Sequence, residues 1–321
     1  MTKLIIQIPC FNEEKTLAIT LRDLPRELPG IDCIEWLIID DGSSDKTVEV
    51  AITNGVDHVV RHLRNLGLAR AFMTGLEASI SLGADIIVNT DADNQYAAAD
   101  IPRLIAPILA GQADIVIGSR PITTISEFSP LKKMLQKFGS WMVRQASRTN
   151  VQDTTSGFRA LSRNAAMQMH VFNDYTYTLE TIIQAGQKGM AIVDVPIRTN
   201  DQLRPSRLIK SIPIYLRRST LTIVRIFMTY QPFAFFVIPG MISFLAGILL
   251  GARFLYDYFT GTGNGHIQSL IFAAILLTLG GFLAVTGLLA DLISVNRKLL
   301  ERIDWQLQKI QTNNKGHDRE E

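Results

Sequence analysis

Asp85-Ile-Ile-Val-Asn-Thr-Asp-Ala-Asp-Asn-Gln95 is an apolar run that ends in two carboxylates and an amide. Its first half has the length and composition of a buried strand. Alternate residues of a strand share a face, so an extended chain here would turn Asp91, Asp93 and Gln95 the same way. Two carboxylates and an amide oxygen on one face suit a hard divalent cation, Mg2+ or Mn2+. Open α/β sheets bind ligands outside the carboxyl ends of their strands, where this cluster falls. Asp-Ala-Asp-Asn is also the composition of an ordinary polar turn, so the neighbouring segments have to decide.

Upstream, the apolar run 3–8 ends at Pro9-Cys-Phe-Asn-Glu-Glu14, which predicts strand, loop and the start of a helix over about 13–23. A second strand, 34–39, runs into Asp40-Asp-Gly-Ser-Ser-Asp-Lys-Thr47, where Ser43, Ser44 and Asp45 can cap a following helix. A weaker strand at 56–60 leads to Arg64-Asn-Leu-Gly-Leu-Ala-Arg70 and a helix reaching about 81. Downstream come a helix near 100–110 and the strand 114–120. Strands alternating with helices at this spacing predict a mainly parallel sheet covered on both faces, a Rossmann-like α/β domain. Asp-Gly-Ser alone is an ordinary turn. Here, though, polar or acidic clusters follow the strands ending near 9, 39 and 90, so three loops meet on one sheet edge. An acidic rim repels a diphosphate unless a cation lies between them, so the Asp91/Asp93 pair and a nucleotide account for each other.

The totals narrow the field. A net charge of +2 gives no global reason to expect nucleic acid, and Cys10 and Cys33 have no metal-type spacing. The segment 3–9 is too short for a signal peptide and leads straight into a polar turn. The hydrophobic share of 47% is ordinary but unevenly placed, because the last third holds two long uncharged runs.

Taken in order, Ile8-Pro-Cys-Phe-Asn-Glu-Glu14, Asp40-Asp-Gly-Ser-Ser-Asp-Lys-Thr47, Asn65-Leu-Gly67, Asp91-Ala-Asp-Asn-Gln95, Gly118-Ser-Arg120 and Thr155-Ser-Gly-Phe-Arg159 resemble glycosyltransferase family 2. The chain is similar in particular to the polyprenyl-phosphate sugar transferases, the group of dolichyl-phosphate mannose synthase and the bacterial bactoprenol glucosyltransferases. The resemblance implies a GT-A fold and a nucleotide diphosphate sugar bound by Pro9, Phe11, Glu13, Asp40, Asp41 and Asn65. It implies a metal held by Asp91, Asp93 and Gln95, with Arg120 and Arg159 as phosphate contacts. Guanidinium geometry supports the same role, although each arginine can equally form a surface ion pair. Asp153 is a candidate to orient the acceptor or to act as a base, and its alternative is a turn cap. Where the family often has Gly-x-Ser-Lys, this chain has Arg204-Pro-Ser-Arg207; both arginines are candidates for the acceptor phosphate. The missing glycine leaves that loop's geometry open. No Gln-x-x-Arg-Trp motif of a processive synthase is present. The remaining rival is a non-catalytic nucleotide-sugar scaffold, which has no need of a metal-binding carboxylate pair.

No charge lies between Arg225 and Arg253, or between Asp257 and Asp291. Spans over about 232–256 and 267–293 are long enough to cross a bilayer. The link 257–266 lacks Lys and Arg, whereas Arg204, Arg207, Lys210, Arg217, Arg218 and Arg225 precede the first span and Arg297, Lys298 and Arg302 follow the second. The positive-inside rule then places the large domain and both termini in the cytoplasm of an integral inner (plasma) membrane protein. Residues 207–227 gather their cations within an arc of about 100° on a helical wheel, the pattern of an interfacial helix. The expected organisation is a catalytic domain 1–203, an amphipathic segment 204–231, two spans within 232–295 and a cytoplasmic tail 296–321. Gly280, Gly281 and Gly287 allow close helix packing, and with it a homo-oligomer. The implied reaction moves a hexose, glucose from UDP-glucose or mannose from GDP-mannose, onto polyprenyl phosphate with inversion.

Overall fold

The computed structural model describes residues 1–120, 147, 149, 151–171, 177–201, 224–225, 227–260 and 267–317. The amphipathic segment expected before the first span, with Arg204 and Arg207, lies almost wholly outside the described residues. The chain divides into two units, Met1–Arg217 with Asp304–Glu321, and Arg218–Ile303.

The first unit is built on a seven-stranded sheet. In chain order its elements are β1 (Lys3–Cys10), α1 (Leu17–Asp23), β2 (Cys33–Asp40), α2 (Thr47–Thr53), β3 (His58–Arg61), α3 (Leu68–Ser81) and β4 (Ile86–Asn89). There follow α4 (Ile101–Leu109), β5 (Ile115–Ser119), β6 (Arg159–Ser162), α5 (Arg163–Met167), α6 (Thr178–Gln187) and β7 (Ile192–Pro196). The strand order is β3-β2-β1-β4-β6-β5-β7. All neighbours pair in parallel except β6, which is antiparallel to both β4 and β5. Strands buried on both faces need continuous apolar runs. β1 and β4 have them: Leu4 through Cys10 and Ile86 through Asn89 are all buried.

This topology sets the site. The parallel strands all end on one edge, so Asp40, Asn89 and Ser119 deliver their loops there. Because β6 runs the other way, its first residue, Arg159, lies on that same edge, opposite Asn89 of β4 and Ile117 of β5.

The second unit contains α7 (Pro232–Phe259) and α8 (Ile267–His317, its last turns assigned to the first unit). Both are long and apolar enough to cross a membrane, and only 11% and 17% of their most apolar windows is buried, the reverse of a soluble core helix. The two pack antiparallel along glycines. A Cβ on Gly280 would lie 2.7 Å from the Gly240 carbonyl oxygen, and one on Gly287 would lie 2.7 Å from Val237. Gly280 and Gly287 are therefore occupied within the chain, whereas Gly281 faces open space. α8 continues as helix past the expected second span and through the segment expected as a tail, to His317.

Candidate active site

The loops after β1 and β2 are stitched together by side chains capping backbone groups. Asn12, held at φ 55, donates its N–H to Ser43 Oγ at 2.9 Å, and its Oδ1 accepts from Ser44 N at 2.9 Å. Glu13 N donates to Thr47 Oγ1 at 2.8 Å. Gly42, at φ +73, lets the second loop touch the Arg64–Asn65 backbone; a Cβ there would sit 2.6 Å from the Arg64 carbonyl carbon. The two adjacent aspartates have different surroundings. Asp41 accepts from Leu66 N, Gly67 N and His62 Nδ1, each at 2.8 Å, which fixes the Asn65 loop. Asp40 is fully buried; its Oδ1 accepts from Ser43 N at 3.1 Å and its Oδ2 lies 3.1 Å from Arg61 Nε in an ion pair. Oδ2 accepts no hydrogen bond among the described residues. Pro9 near the end of β1 and Glu13 in the loop after it are buried, while Phe11 and Asn65 are exposed.

The acidic loop after β4 differs from the sequence expectation. Strand pairing stops at Asn89, so Asp91, Asp93 and Gln95 are not alternate residues of a strand. They occupy a tight turn in which Asn94 adopts φ 56 and Gln95 N donates to Asp93 Oδ1 at 3.2 Å. Ala92 O accepts from Thr20 Oγ1 at 3.0 Å, Asn94 Nδ2 donates to Asp23 at 2.9 Å, and Gln95 O accepts from Asn200 N at 2.9 Å. Asp91 and Asp93 stay half-buried at the rim. Among the described residues no three His, Cys, Asp or Glu side chains gather as a self-sufficient metal cage. Two carboxylates on a pinned turn nevertheless fit a Mg2+ or Mn2+ ion that draws its other oxygens from water and a diphosphate.

The third part is the loop entering β6. Arg120 Nε and Nη2 bind the two carboxylate oxygens of buried Asp153 at 2.7 and 3.1 Å, and Nη2 also donates to Thr155 Oγ1 at 2.8 Å. Burial alone would raise the Asp153 carboxyl, but the Arg120 hydrogen bond and charge outweigh it and hold the group below the usual carboxylate range. The same pairing overrides desolvation at Arg120 and raises its pKa. Asp194 on β7 secures the loop from behind by accepting from Gln152 N at 2.6 Å. Gly157 follows, its Cα so close to Asp91 that a Cβ would meet the two carboxylate oxygens at 3.2 and 3.3 Å.

Arg159 is placed differently from its candidate role as a phosphate contact. It is 1% exposed, and its guanidinium donates to Ser156 O at 2.8 Å, to Thr154 O at 3.1 Å and to Thr181 Oγ1. Complete burial pushes its pKa below the usual guanidinium value. The cation lies beneath the loop and shapes it, rather than on its outer surface. Sequence reasoning also missed Gln7, Asn89, Tyr96 and Tyr177, which form a buried polar chain below the site. The available signal was Asn89 itself, an amide closing an apolar strand.

Comparison with known proteins gives the family and the fold. The family model described as glycosyl transferase family 2 matches residues 5–173. A UDP-N-acetylglucosamine–dolichyl-phosphate N-acetylglucosaminyltransferase of Methanococcus voltae is 32% identical over 217 residues, covering 60% of this chain and 83% of that protein. An undecaprenyl-phosphate mannosyltransferase of Micrococcus luteus is 30% identical over 200 residues, covering 59% and 80%. Among solved structures, glucosyl-3-phosphoglycerate synthase from Mycobacterium tuberculosis, in complex with Mn2+, UDP-glucose and phosphoglyceric acid, superposes with a TM-score of 0.55. It has 20% identity and covers 70% of this chain and 79% of that one, a likeness of fold. The sheet is thus the Rossmann-like GT-A sheet.

Proposed function

The chain belongs to glycosyl transferase family 2, and we propose that it transfers one hexose from a nucleotide diphosphate sugar to polyprenyl phosphate at a membrane. The observation that carries this reading is the approach of Asp91 to Gly157, which joins the acidic turn to the loop bearing the Arg120–Asp153 pair. A diphosphate-binding edge and an anion-binding edge then share one reaction centre. The relatives named for transfer to dolichyl and undecaprenyl phosphate, and the two exposed apolar helices of this chain, support a lipid-borne acceptor.

In this reading the loops after β1 and β2 hold the nucleotide, with Asp40 at the base of the pocket and Phe11 at the mouth. Asp91, Asp93 and Gln95 hold a divalent cation, which supplies charge neutralisation to the departing diphosphate when bound. Arg120 meets phosphate oxygen at the junction, and Arg204 and Arg207 take the acceptor headgroup. An acceptor phosphate oxygen forms a bond to the anomeric carbon from the face opposite the leaving group. The carbon–oxygen bond to the nucleoside diphosphate breaks, its electron pair stays on the diphosphate, and the configuration inverts. A phosphate monoester carries about −1.5 to −2 charge near pH 7, so the nucleophile needs little deprotonation. Asp153, committed to Arg120, serves to orient rather than to take a proton. The reaction runs on the cytoplasmic face, where the Lys and Arg flanking both spans hold the domain.

The test is transfer by purified protein in liposomes with polyprenyl phosphate, Mg2+ or Mn2+, and labelled donors. UDP-glucose leads the panel, with UDP-N-acetylglucosamine and GDP-mannose beside it. Lipid-extractable label from one donor, lost in Asp93→Asn, identifies reaction and sugar together. Nucleotide binding without lipid labelling from any donor would sink the lipid-acceptor reading in favour of another acceptor or a scaffold.

A further inference from the structure

One residue, Gly157, is held through both its backbone polar groups by the two residues that bracket the acidic turn. Its N–H donates to Tyr96 Oη at 3.0 Å, one residue past Gln95. Its carbonyl accepts from Asn89 Nδ2 at 2.8 Å, two residues before Asp91, and from Tyr177 Oη at 3.4 Å. Asn89 is itself oriented by Gln7 Nε2, which donates to its Oδ1 at 2.9 Å, and it donates to Tyr177 Oη at 2.9 Å. The aromatic rings are locked by stacking: Tyr96 on Phe158 at 5.1 Å between centroids, and Tyr177 on Phe72 at 3.9 Å. All four polar side chains are buried. Gln7 Oε1 accepts no hydrogen bond among the described residues; the remaining bonds hold one geometry, since an alternative would strand further donors or acceptors away from water.

We propose that Tyr96 and Asn89 are positioning residues that key the Asp153 loop to the Asp91–Gln95 turn through the Gly157 peptide, so that the acceptor side of the site takes its place from the donor side. The inference rests on the glycosyl-transfer reading for its functional meaning. Its structural half is independent of the acceptor. Only glycine fits at 157, because a methyl group would press on Tyr177 Oη at 2.9 Å and on the Asp91 carboxylate.

Tyr96→Phe removes one hydroxyl and keeps the ring on Phe158. Ser162→Ala, which deletes the Ser162 Oγ cap on Ala165 N at the far end of β6, serves as a control for lost stability. Two readouts are taken on full-length protein in liposomes. In amide hydrogen exchange, the peptide covering 151–158 is expected to exchange at least about tenfold faster in Tyr96→Phe and unchanged in Ser162→Ala. In transfer to polyprenyl phosphate, kcat is expected to fall about tenfold in Tyr96→Phe, with the Kd of the nucleoside diphosphate and Mg2+ within about twofold of wild type. Unchanged exchange in Tyr96→Phe overturns the proposal whatever the acceptor proves to be. Faster exchange with wild-type kcat also overturns it, because the loop would then move without consequence. If wild-type protein labels no lipid, the functional reading falls alone, and the exchange result still decides the coupling.

Discussion

Arg120 grips both carboxylate oxygens of Asp153, Nε at 2.7 Å and Nη2 at 3.1 Å, in a pair that is buried on the aspartate side and partly open on the arginine side. A carboxylate held this way is a poor proton acceptor, and lysine cannot reproduce the fork. Arg120→Lys is expected to lower kcat about tenfold or more, the scale of one charge-assisted hydrogen bond. Between pH 5 and 8 the transfer rate should show no limb due to Asp153, whose folded pKa lies below its ordinary value. An acid limb in that window that disappears in Asp153→Asn would reinstate it as a general base.

The same depression has a stability consequence. Asp153, Asp45 and Glu35 all have folded pKa values below their ordinary ones: burial raises each, and hydrogen bonds from Arg120, from Thr47 and from Lys3 with His58 more than offset it. Their stabilisation is fully present above the unfolded values, about 3.9 for Asp and 4.3 for Glu, and is lost as pH falls through the folded values. The thermal midpoint of the catalytic unit should therefore hold level from pH 7 to about 5 and drop below about 4. A midpoint that rises on acidification to pH 3 would contradict this.

At Gly42 both the positive φ and the contact with the Arg64 backbone forbid a side chain. Gly42→Ala is expected to cost on the order of 1–3 kcal/mol and to loosen the loop that Asp41 anchors. Nucleoside diphosphate affinity, measured calorimetrically, should fall with it. Gly83, also at positive φ but with open space around it, should lose stability upon the same substitution without losing nucleotide affinity.

Asp93→Asn removes one of two carboxylates on the acidic turn while keeping an oxygen to accept from Gln95 N. Transfer is expected to fall at least about a hundredfold. The metal-dependent part of nucleotide binding should vanish as well, leaving the binding seen with chelator. Full metal-dependent binding in Asp93→Asn would remove that residue from the ligand set.

The two glycines of Leu279-Gly-Gly-Phe282 should behave oppositely. Gly280→Leu drives a side chain into the Gly240 carbonyl at 2.7 Å and Phe244 at 2.8 Å, whereas Gly281→Leu meets nothing within 4 Å. The first is expected to lower the melting temperature in detergent, at a cost of order 1–3 kcal/mol, and the second to leave it unchanged. If Gly281→Leu alone dissociates a higher oligomer on size exclusion, the open face is the one between copies.

What the sequence revealed, and what it did not, divides along physical lines. The ends of β1, β2, β4 and β5 were legible because strands buried on two faces must be continuous apolar runs, and those runs stop at polar residues. β6 was not: Arg159-Ala-Leu-Ser162 is four residues long, opens on a cation and carries no alternation. The sequence leaves Asp91–Gln95 open between extended chain and polar turn, because its conformation depends on partners far away in sequence, Thr20, Asp23 and Asn200. Arg159 carried the charge of a phosphate ligand, and only tertiary packing reveals that its hydrogens point at Thr154 and Ser156 carbonyls. The polar chain from Gln7 to Tyr177 was invisible for the same reason, since it joins residues up to 88 positions apart.

β5 ends and β6 begins beside one another on the ligand edge, with Ile117 paired to Arg159. The register is fixed by Ile115 with Leu161, Val116 with Ala160 and Ile117 with Arg159, and that pairing counts none of the residues that separate the two strands in sequence. Insertions or deletions there are a change the sheet itself does not feel, so chains that share this sheet are free to differ in length at that point.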